Sequence, residues 1–409
     1  MIDNFVTCKF RCKCLTDDNR CYILVISENY GRKIMKYREF GKTGIMVSAL
    51  GFGAMRLPTT DGDPGSRNID VDKAVGMIRH AIDSGINYVD TAYLYHKYSS
   101  ETLVGRALQD GYREKTYVAT KSPVWKIEKP EDFDKYLDEQ LGKLQTDHID
   151  FYLLHAMNRD RWDNIILKHD VLARAEKAKA EGKIRYIGFS FHDDLDAFKL
   201  ILDGYDKWDF CQIQYNYIDT DTQAGLEGYN MVKERGIGLV IMEPLLGGKL
   251  AVPPIQVKNS LDSSRSPVEW ALDYVWDHDG VSLLLSGMST MEQVEENLIF
   301  ADRSGKGMLT EPEKEMFKKA KTIYDTMALV PCTKCQYCMP CPFGLNIPGI
   351  FEAYNSTAIK KMDESKGLYF AMETLADACT ACKNCEEQCP QNIKVSEIMP
   401  VIDKLFANS

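Results

Sequence analysis

The chain has 409 residues, 44% of them hydrophobic and 27% charged, with a formal net charge of -10. That length accommodates two or three domains and that balance is ordinary for globular protein. The acidic charge disfavours nucleic acid as a partner, and no stretch reaches the roughly 18 to 20 apolar residues of a membrane span, so a cytoplasmic protein is expected.

Residues 1–34 show no helical or strand period, and their short apolar run CYILVI is bordered by charges rather than laid out as a secretory signal. Their four cysteines have no mate pattern. Met35 opens MKYREFGKTG, and the preceding residues are read as an upstream extension from a misassigned start.

From about residue 48 to 300 the chain repeats one unit, a short apolar run followed by a segment of helical period. The runs are VSALGFG, INYVDTA, TYVATKS, IDFYLLH, IRYIGFS, FCQIQYN, IGLVIMEP and VSLLLSG. They are rich in Val, Ile, Leu and Tyr, as parallel strands covered by helices should be. Between them, Val71, Val75, Ile78 and Ile82 form one apolar stripe, and Phe133, Leu137, Leu141 and Leu144 another. Gly85 and Gly182 fall where such helices should stop. Eight units predict an α/β fold, a closed (β/α)8 TIM barrel over residues 35–305, with its active site at the C-terminal ends of the strands. An open doubly wound sheet is the alternative, although no GxGxxG follows the first run.

A barrel demands useful chemistry where each strand runs out. Asp90 ends the second run, Lys121 lies at the end of the third, His155 ends the fourth and Ser190 the fifth; Gln212 lies in the sixth and Glu243 near the end of the seventh. One such residue alone is more often structural than catalytic. Ionisable groups at three successive strand ends would all point into one mouth.

After the barrel, TEPEKEMFKKAKTIYDTM carries a capping-box pattern at Thr310 and Glu313 and a stripe of Phe317, Ala320 and Ile323. A linking helix is expected within residues 306–330. Residues 331–409 then contain PCTKCQYCMPCP and CTACKNCEEQCP, which hold eight of the thirteen cysteines. Disulfides would need an oxidising compartment, and paired CxxC motifs also suit tetrahedral zinc. Three cysteines at regular two-residue steps, with a fourth followed by proline, favour iron-sulfur cubanes over both. The second run fits that spacing throughout, whereas the first has two residues rather than three before Cys341. The intervening IPGIFEAYNS and KGLYFAMETLADA read as helices that would wrap the clusters, making a small α-helical iron-sulfur domain.

This cysteine pattern resembles that of two-[4Fe-4S] ferredoxins. The resemblance implies crossed ligation, with Cys332, Cys335 and Cys338 sharing one cluster with Cys389, and Cys379, Cys382 and Cys385 sharing the other with Cys341.

In the barrel, INYVDTAYLY, VATKS and IDFYLLH resemble the aldo-keto reductase family with its Asp, Tyr, Lys and His tetrad. KYREFGKTGIMVSALGFGAM resembles the family's N-terminal hairpin and first strand, and SGMSTMEQVEENL its last strand and cofactor helix. The whole chain resembles the ferredoxin-fused aldo-keto reductases of anaerobic bacteria and archaea. This implies an oxidoreductase that reduces an aldehyde or ketone, or oxidises the alcohol, with NADP or NAD. Tyr95, five positions after Asp90, would be the general acid, and Tyr93 a packing residue. Lys121 would lower the Tyr95 pKa, Asp90 would hold Lys121, and His155 would orient the carbonyl. Ser190 and Gln212 would bind the nicotinamide carboxamide, and Glu296 and Asn297 the adenine. The loop after Glu243 and the turn at residues 286–290, with Ser286, Ser289 and Gln293, would line the pyrophosphate and ribose.

Three positions depart from the family pattern. Phe191 replaces an asparagine, Met242 an aromatic, and GMSTMEQ lacks the basic residue that often clamps the 2'-phosphate, which leaves NADP and NAD both open. Nicotinamide gives two electrons as hydride while a cluster passes one at a time, so coupling them calls for a flavin or another splitter. No flavin motif stands out. A redox partner protein is a further expectation. Two alternatives remain: an electron-transfer protein whose barrel is a non-catalytic scaffold, and a reductase whose clusters are structural.

Overall fold

The computed structural model describes residues 35–327, 329–358 and 362–408. Residues 1–34, and the extension expected there, lie outside them.

The described chain opens with a hairpin, β1 (Tyr37–Glu39) and β2 (Met46–Ser48), paired antiparallel. The eight apolar runs then become β3 (Leu50–Gly53), β4 (Tyr88–Asp90), β5 (Tyr117–Ser122), β6 (Ile149–Met157), β7 (Ile184–Phe191), β8 (Phe210–Gln214), β9 (Gly238–Met242) and β10 (Leu283–Ser286). They close into a parallel barrel in which β10 pairs with both β9 and β3. That closure disposes of the open sheet.

One end of the barrel is filled by rings. Phe40 from the hairpin packs on Phe151 at 4.5 Å between centroids and on Phe210 at 5.6 Å, with Tyr88 against Phe151 at 5.0 Å. Two strand glycines make room for this plug: a Cβ at Gly238 would stand 2.5 Å from the Phe40 ring, and one at Gly188 2.6 Å from that of Phe210. Rings fill the N-terminal end, and the strands release Asp90, Lys121 and His155 at the other.

The helices that cover the barrel include α1 (Val71–Asp83), α2 (Ser100–Ala107), α3 (Glu131–Leu144), α4 (Val171–Ala180), α5 (Leu195–Asp203), α6 (Gly225–Arg235), α7 (Pro267–Asp277) and α8 (Met291–Asp302). Helix α1 is turned slightly from the expected stripe. Ala74, Met77, Ile78, Ala81 and Ile82 are buried, and Val71 and Val75 sit at the rim. In α3, Phe133, Leu137 and Leu144 are buried as expected, and Gln140 joins them.

The linking helix is α9 (Glu311–Asp325), and its capping box forms, with the Thr310 N–H donating to Glu313 Oε2 at 2.7 Å. Phe317 and Ala320 pack on Trp270, Tyr217 and Leu250 of the barrel side. The cysteine-rich segment builds its own core from α10 (Ile347–Ser356), α11 (Met362–Phe370) and α12 (Val395–Asn408), where Phe351, Tyr369, Met399, Ile402 and Phe406 are buried. Tyr369 and Phe406 stack at 4.3 Å. Among the described residues, no helix is long and apolar enough to cross a membrane.

Candidate active site

Four residues from neighbouring strand ends meet at the open mouth. Lys121 Nζ stands 2.6 Å from Asp90 Oδ1 and donates to the Thr91 carbonyl at 2.8 Å. The two charged side chains are 1% and 3% exposed, so each is nearly the whole of the other's solvation. Burial pushes the Lys121 ammonium down and the Asp90 carboxyl up, and each is opposed by the other's charge. Gln140 of α3 donates to the Lys121 carbonyl at 3.0 Å and accepts from the Tyr152 hydroxyl at 2.7 Å, which anchors this stretch of β5 from behind.

Tyr95 follows β4, and its ring lies beneath Lys121, with Nζ 4.9 Å from the centroid. The next three residues, His96, Lys97 and Tyr98, have φ of 50°, 50° and 74°, left-handed backbone that non-glycine residues adopt only when their surroundings force it. His96 supplies the constraint: the Leu57 N–H donates to its Nε2 at 3.1 Å, so Nδ1 carries the proton that reaches the Ser66 carbonyl at 2.8 Å. Burial keeps that imidazole neutral by lowering its pKa. Tyr93 faces elsewhere, with its hydroxyl 3.2 Å from the Glu139 carboxylate and its ring under Lys143, and is a packing residue as expected.

The Tyr95 phenol departs from the expected electrostatics. Burial, followed by the nearby Asp90 and Glu243 carboxylates, pushes it well above its ordinary value, opposed in part by the charge of Arg56. The Lys121 ammonium is shared with Asp90 and Thr91, and the net shift of the phenol is upward. His155 stands edge-on to Tyr95 at 6.1 Å and against Trp125 at 5.3 Å, and its Nδ1 is buried without a partner. Burial, then the charges of Lys121 and Arg161, hold its pKa well below the usual imidazole range, so the ring is neutral.

These four line one cavity of about 320 Å³ with Ser190, Gln212, Glu243, Ser286, Ser289 and Gln293. Ser190 Oγ accepts from the Ala156 N–H at 2.7 Å, and Gln212 Oε1 is buried without a partner. The Glu243 carboxylate accepts from the Gly247 N–H. Ser289 Oγ donates to the Arg56 carbonyl at 2.7 Å while its N–H meets Gln293 Oε1 at 2.7 Å, which shapes the turn before α8. Two expected adenine contacts are not part of this wall. Asn297 is buried and donates to Ser286 Oγ at 2.7 Å, bracing the turn from beneath, and Glu296 is exposed.

The same cavity is lined from the cysteine segment by Thr333, Cys335, Tyr337, Pro390 and Gln391. Gln223 donates to the Pro390 carbonyl at 2.7 Å, Gln391 to Gln214 Oε1 at 2.8 Å, and Lys249 to the Cys332 carbonyl. Position 247 must be glycine for this fit: its φ is +64°, and a Cβ there would run into the Thr333 carbonyl oxygen. Arg56, His192 and Tyr337 therefore belong to the cavity although no motif singles them out.

Three cysteines of the first run gather with one of the second. Cys332, Cys335, Cys338 and Cys389 border one small apolar hollow closed by Ile347 and Phe351, and the Lys334 N–H points at Cys332 Sγ at 3.4 Å. Both runs wrap alike, with left-handed Lys334 and Gln336 flanking Cys335, and left-handed Ala381 and Lys383 flanking Cys382. Among the described residues, no group of three or more His, Cys, Asp or Glu side chains is placed to hold a metal ion.

A closed parallel barrel with an Asp, Tyr, Lys and His set at its C-terminal mouth, capped by a cysteine domain, defines an oxidoreductase scaffold with a fused iron-sulfur module. Residues 49–303 match the aldo/keto reductase family and residues 328–393 a 4Fe-4S dicluster domain. The chain belongs to the aldo/keto reductase family. It is 30% identical to L-galactose dehydrogenase of Arabidopsis thaliana over 290 residues, 64% of this chain and 87% of that one. It is 31% identical to a probable aldo-keto reductase of Glycine max over 237 residues, 54% of this chain and 64% of that one. Among solved structures, an aldo-keto reductase of Bacillus halodurans in its holo form superposes with a TM-score of 0.59 at 28% identity, covering 70% of this chain and 96% of that one. A Klebsiella pneumoniae aldo-keto reductase in complex with NADPH shares the fold, with a TM-score of 0.57 at 24% identity and coverage of 70% and 95%.

Proposed function

We propose that the barrel is a nicotinamide-dependent carbonyl reductase with Tyr95 as its general acid, joined to electron transfer through two [4Fe-4S] clusters. The observation that carries this reading is the single cavity lined by Asp90, Tyr95, Lys121 and His155 on one side and by Cys335 on the other.

The residues present suit a nicotinamide. An unpartnered buried acceptor costs about 1 to 3 kcal/mol, and Gln212 Oε1 is one such acceptor. The Ser190 oxygen already accepts from Ala156, which leaves its hydroxyl proton free to donate. A free acceptor beside a free donor complements the NH2 and C=O of a carboxamide. Bound there, the cofactor supplies hydride.

The chain supplies the rest. Tyr95 keeps its proton in the resting state, because burial holds the phenol high. It releases that proton as negative charge develops on the acceptor oxygen, and Lys121, 4.9 Å above the ring, favours the phenolate left behind. Asp90 keeps the ammonium in place. Neutral His155 can present one ring N–H to the same oxygen.

For the metal, Cys332, Cys335 and Cys338 with Cys389 hold the first cluster, and Cys379, Cys382 and Cys385 with Cys341 the second. The common hollow of Cys389 and the first run supports this crossing. When bound, clusters pass single electrons, and the flavin content of the native protein bears on how these meet hydride chemistry. Replacing Cys389 with alanine is expected to remove about half of the iron, leaving one intact cluster signal. Iron analysis with EPR checks this, and loss confined to the cluster of the second run contradicts the crossing.

The test of the reductase reading is anaerobic. NADPH and NADH are titrated by fluorescence, then consumed against a panel of aldehydes and ketones while the clusters are followed by EPR. Binding with stoichiometric carbonyl reduction is expected, and the ratio of the two affinities gives the cofactor preference. Binding of neither nucleotide would favour the scaffold role of the barrel, and turnover with silent clusters would separate the iron-sulfur domain from the reaction.

A further inference from the structure

The two cysteine runs place left-handed residues at matching positions, so they can be compared position by position. Tyr337 precedes Cys338 as Asn384 precedes Cys385. The left-handed residues sit at corresponding places in both loops. The cluster loop as such therefore does not need a tyrosine, since the second loop wraps with an asparagine there. What distinguishes Tyr337 is where its side chain goes: into the barrel mouth, lining the cavity shared with Tyr95.

The loop that carries it is held from several directions. Lys249 reaches the Cys332 carbonyl, Gly247 makes room for that of Thr333, and Gln223 and Gln391 tie the second run to the barrel. Tyr337 is thus placed by docking, rather than by chance contact of a free side chain. The hydroxyl of Tyr95 is the atom that must meet the carbonyl oxygen of a substrate, and the Tyr337 ring bounds the space left for that substrate.

We propose that Tyr337 is a specificity-determining residue that the iron-sulfur domain contributes to the carbonyl site. Its ring forms the far wall of the cavity and limits the size of the acceptor. The natural acceptor is accordingly a small aldehyde or ketone without a bulky group on the side facing the clusters. This inference rests on the reading of Tyr95 as the residue that meets the carbonyl oxygen.

The test uses binding of unreactive carbonyl compounds to the iron-loaded, nicotinamide-bound full chain, measured by calorimetry with acetamide and benzamide. Tyr337→Ala opens the space of a phenol ring, and the benzamide-to-acetamide affinity ratio is expected to rise about tenfold or more. Tyr337→Phe keeps the wall, so the ratio should stay as in the parent. An unchanged ratio in an iron-replete Tyr337→Ala protein, or a ratio that rises as much in Tyr337→Phe, would overturn the inference. So would failure of every variant to bind either amide. If the alanine variant loses iron, Tyr337→Leu, which also shortens the wall, takes its place. Neither readout needs turnover: amide binding that follows this pattern in a protein that never consumes NADPH or NADH would keep the inference and sink the reductase reading.

Discussion

Replacing Tyr95 with phenylalanine is expected to lower carbonyl turnover by about 10²- to 10⁴-fold, the usual worth of a positioned general acid, while nicotinamide affinity stays near that of the parent. The phenyl ring keeps its place under Lys121, and His96 still fixes the left-handed turn that follows. Only the transferable proton is lost. Its pH behaviour supplies a second check. As the proposed acid, Tyr95 must be protonated to act, and burial pushes its pKa well above the ordinary phenol value. The acid is therefore fully loaded through neutral pH, and kcat/KM for reduction should be level from about pH 6 to 9, with a falling limb only above the ordinary phenol pKa of about 10. The histidines do not intrude from below, since burial holds His155 far down and His192 at about 4. A limb centred near neutrality, or a Tyr95→Phe variant with parental turnover, would assign the acid to another group.

The second large effect concerns the buried ion pair. Lys121→Met should destabilise the protein by roughly 3 to 5 kcal/mol, because it leaves the Asp90 carboxylate buried without its counter-charge. It should also abolish reduction. The double variant Asp90→Asn with Lys121→Met removes both charges and is expected to recover much of the stability and none of the activity. Denaturant unfolding of the iron-loaded proteins, together with turnover, separates the two losses. The deficit of the single variant should shrink as pH falls, because burial already pushes the Asp90 carboxyl up and a protonated carboxyl needs no counterion. A single variant as stable as the parent at neutral pH would mean that Asp90 is not held as a buried anion.

Much of this protein is legible along the chain because its causes are local. Each apolar run that reads as a strand is a strand, and Asp90, Lys121, His155, Ser190 and Gln212 meet because parallel strands in a barrel all end at the same rim. The capping box at Thr310 and Glu313 forms because its partners are three residues apart. Where the reading fell short, a distant neighbour decided. The exposed rim of α1 is set by what packs over it, Asn297 is drawn under Ser286 instead of outward, and burial in the mouth, with the Asp90 and Glu243 carboxylates nearby, raises the Tyr95 phenol.

The amino-acid pattern by itself determined the barrel, the gathering of Asp90, Lys121 and His155 at one rim and the two spaced cysteine runs, since periodicity, strand polarity and cysteine spacing are properties of short stretches. Only the tertiary structure decided that the cysteine domain sits on the mouth of the barrel, that Cys335 and Tyr337 share a cavity with Lys121, and that Arg56 faces Glu243. Those relations rest on contacts such as Gln223 with Pro390 and Gln214 with Gln391, between residues 167 and 177 positions apart. Such pairs carry no signature in either partner alone, because a glutamine amide can satisfy its hydrogen bonds almost anywhere, and only the folded surfaces select where.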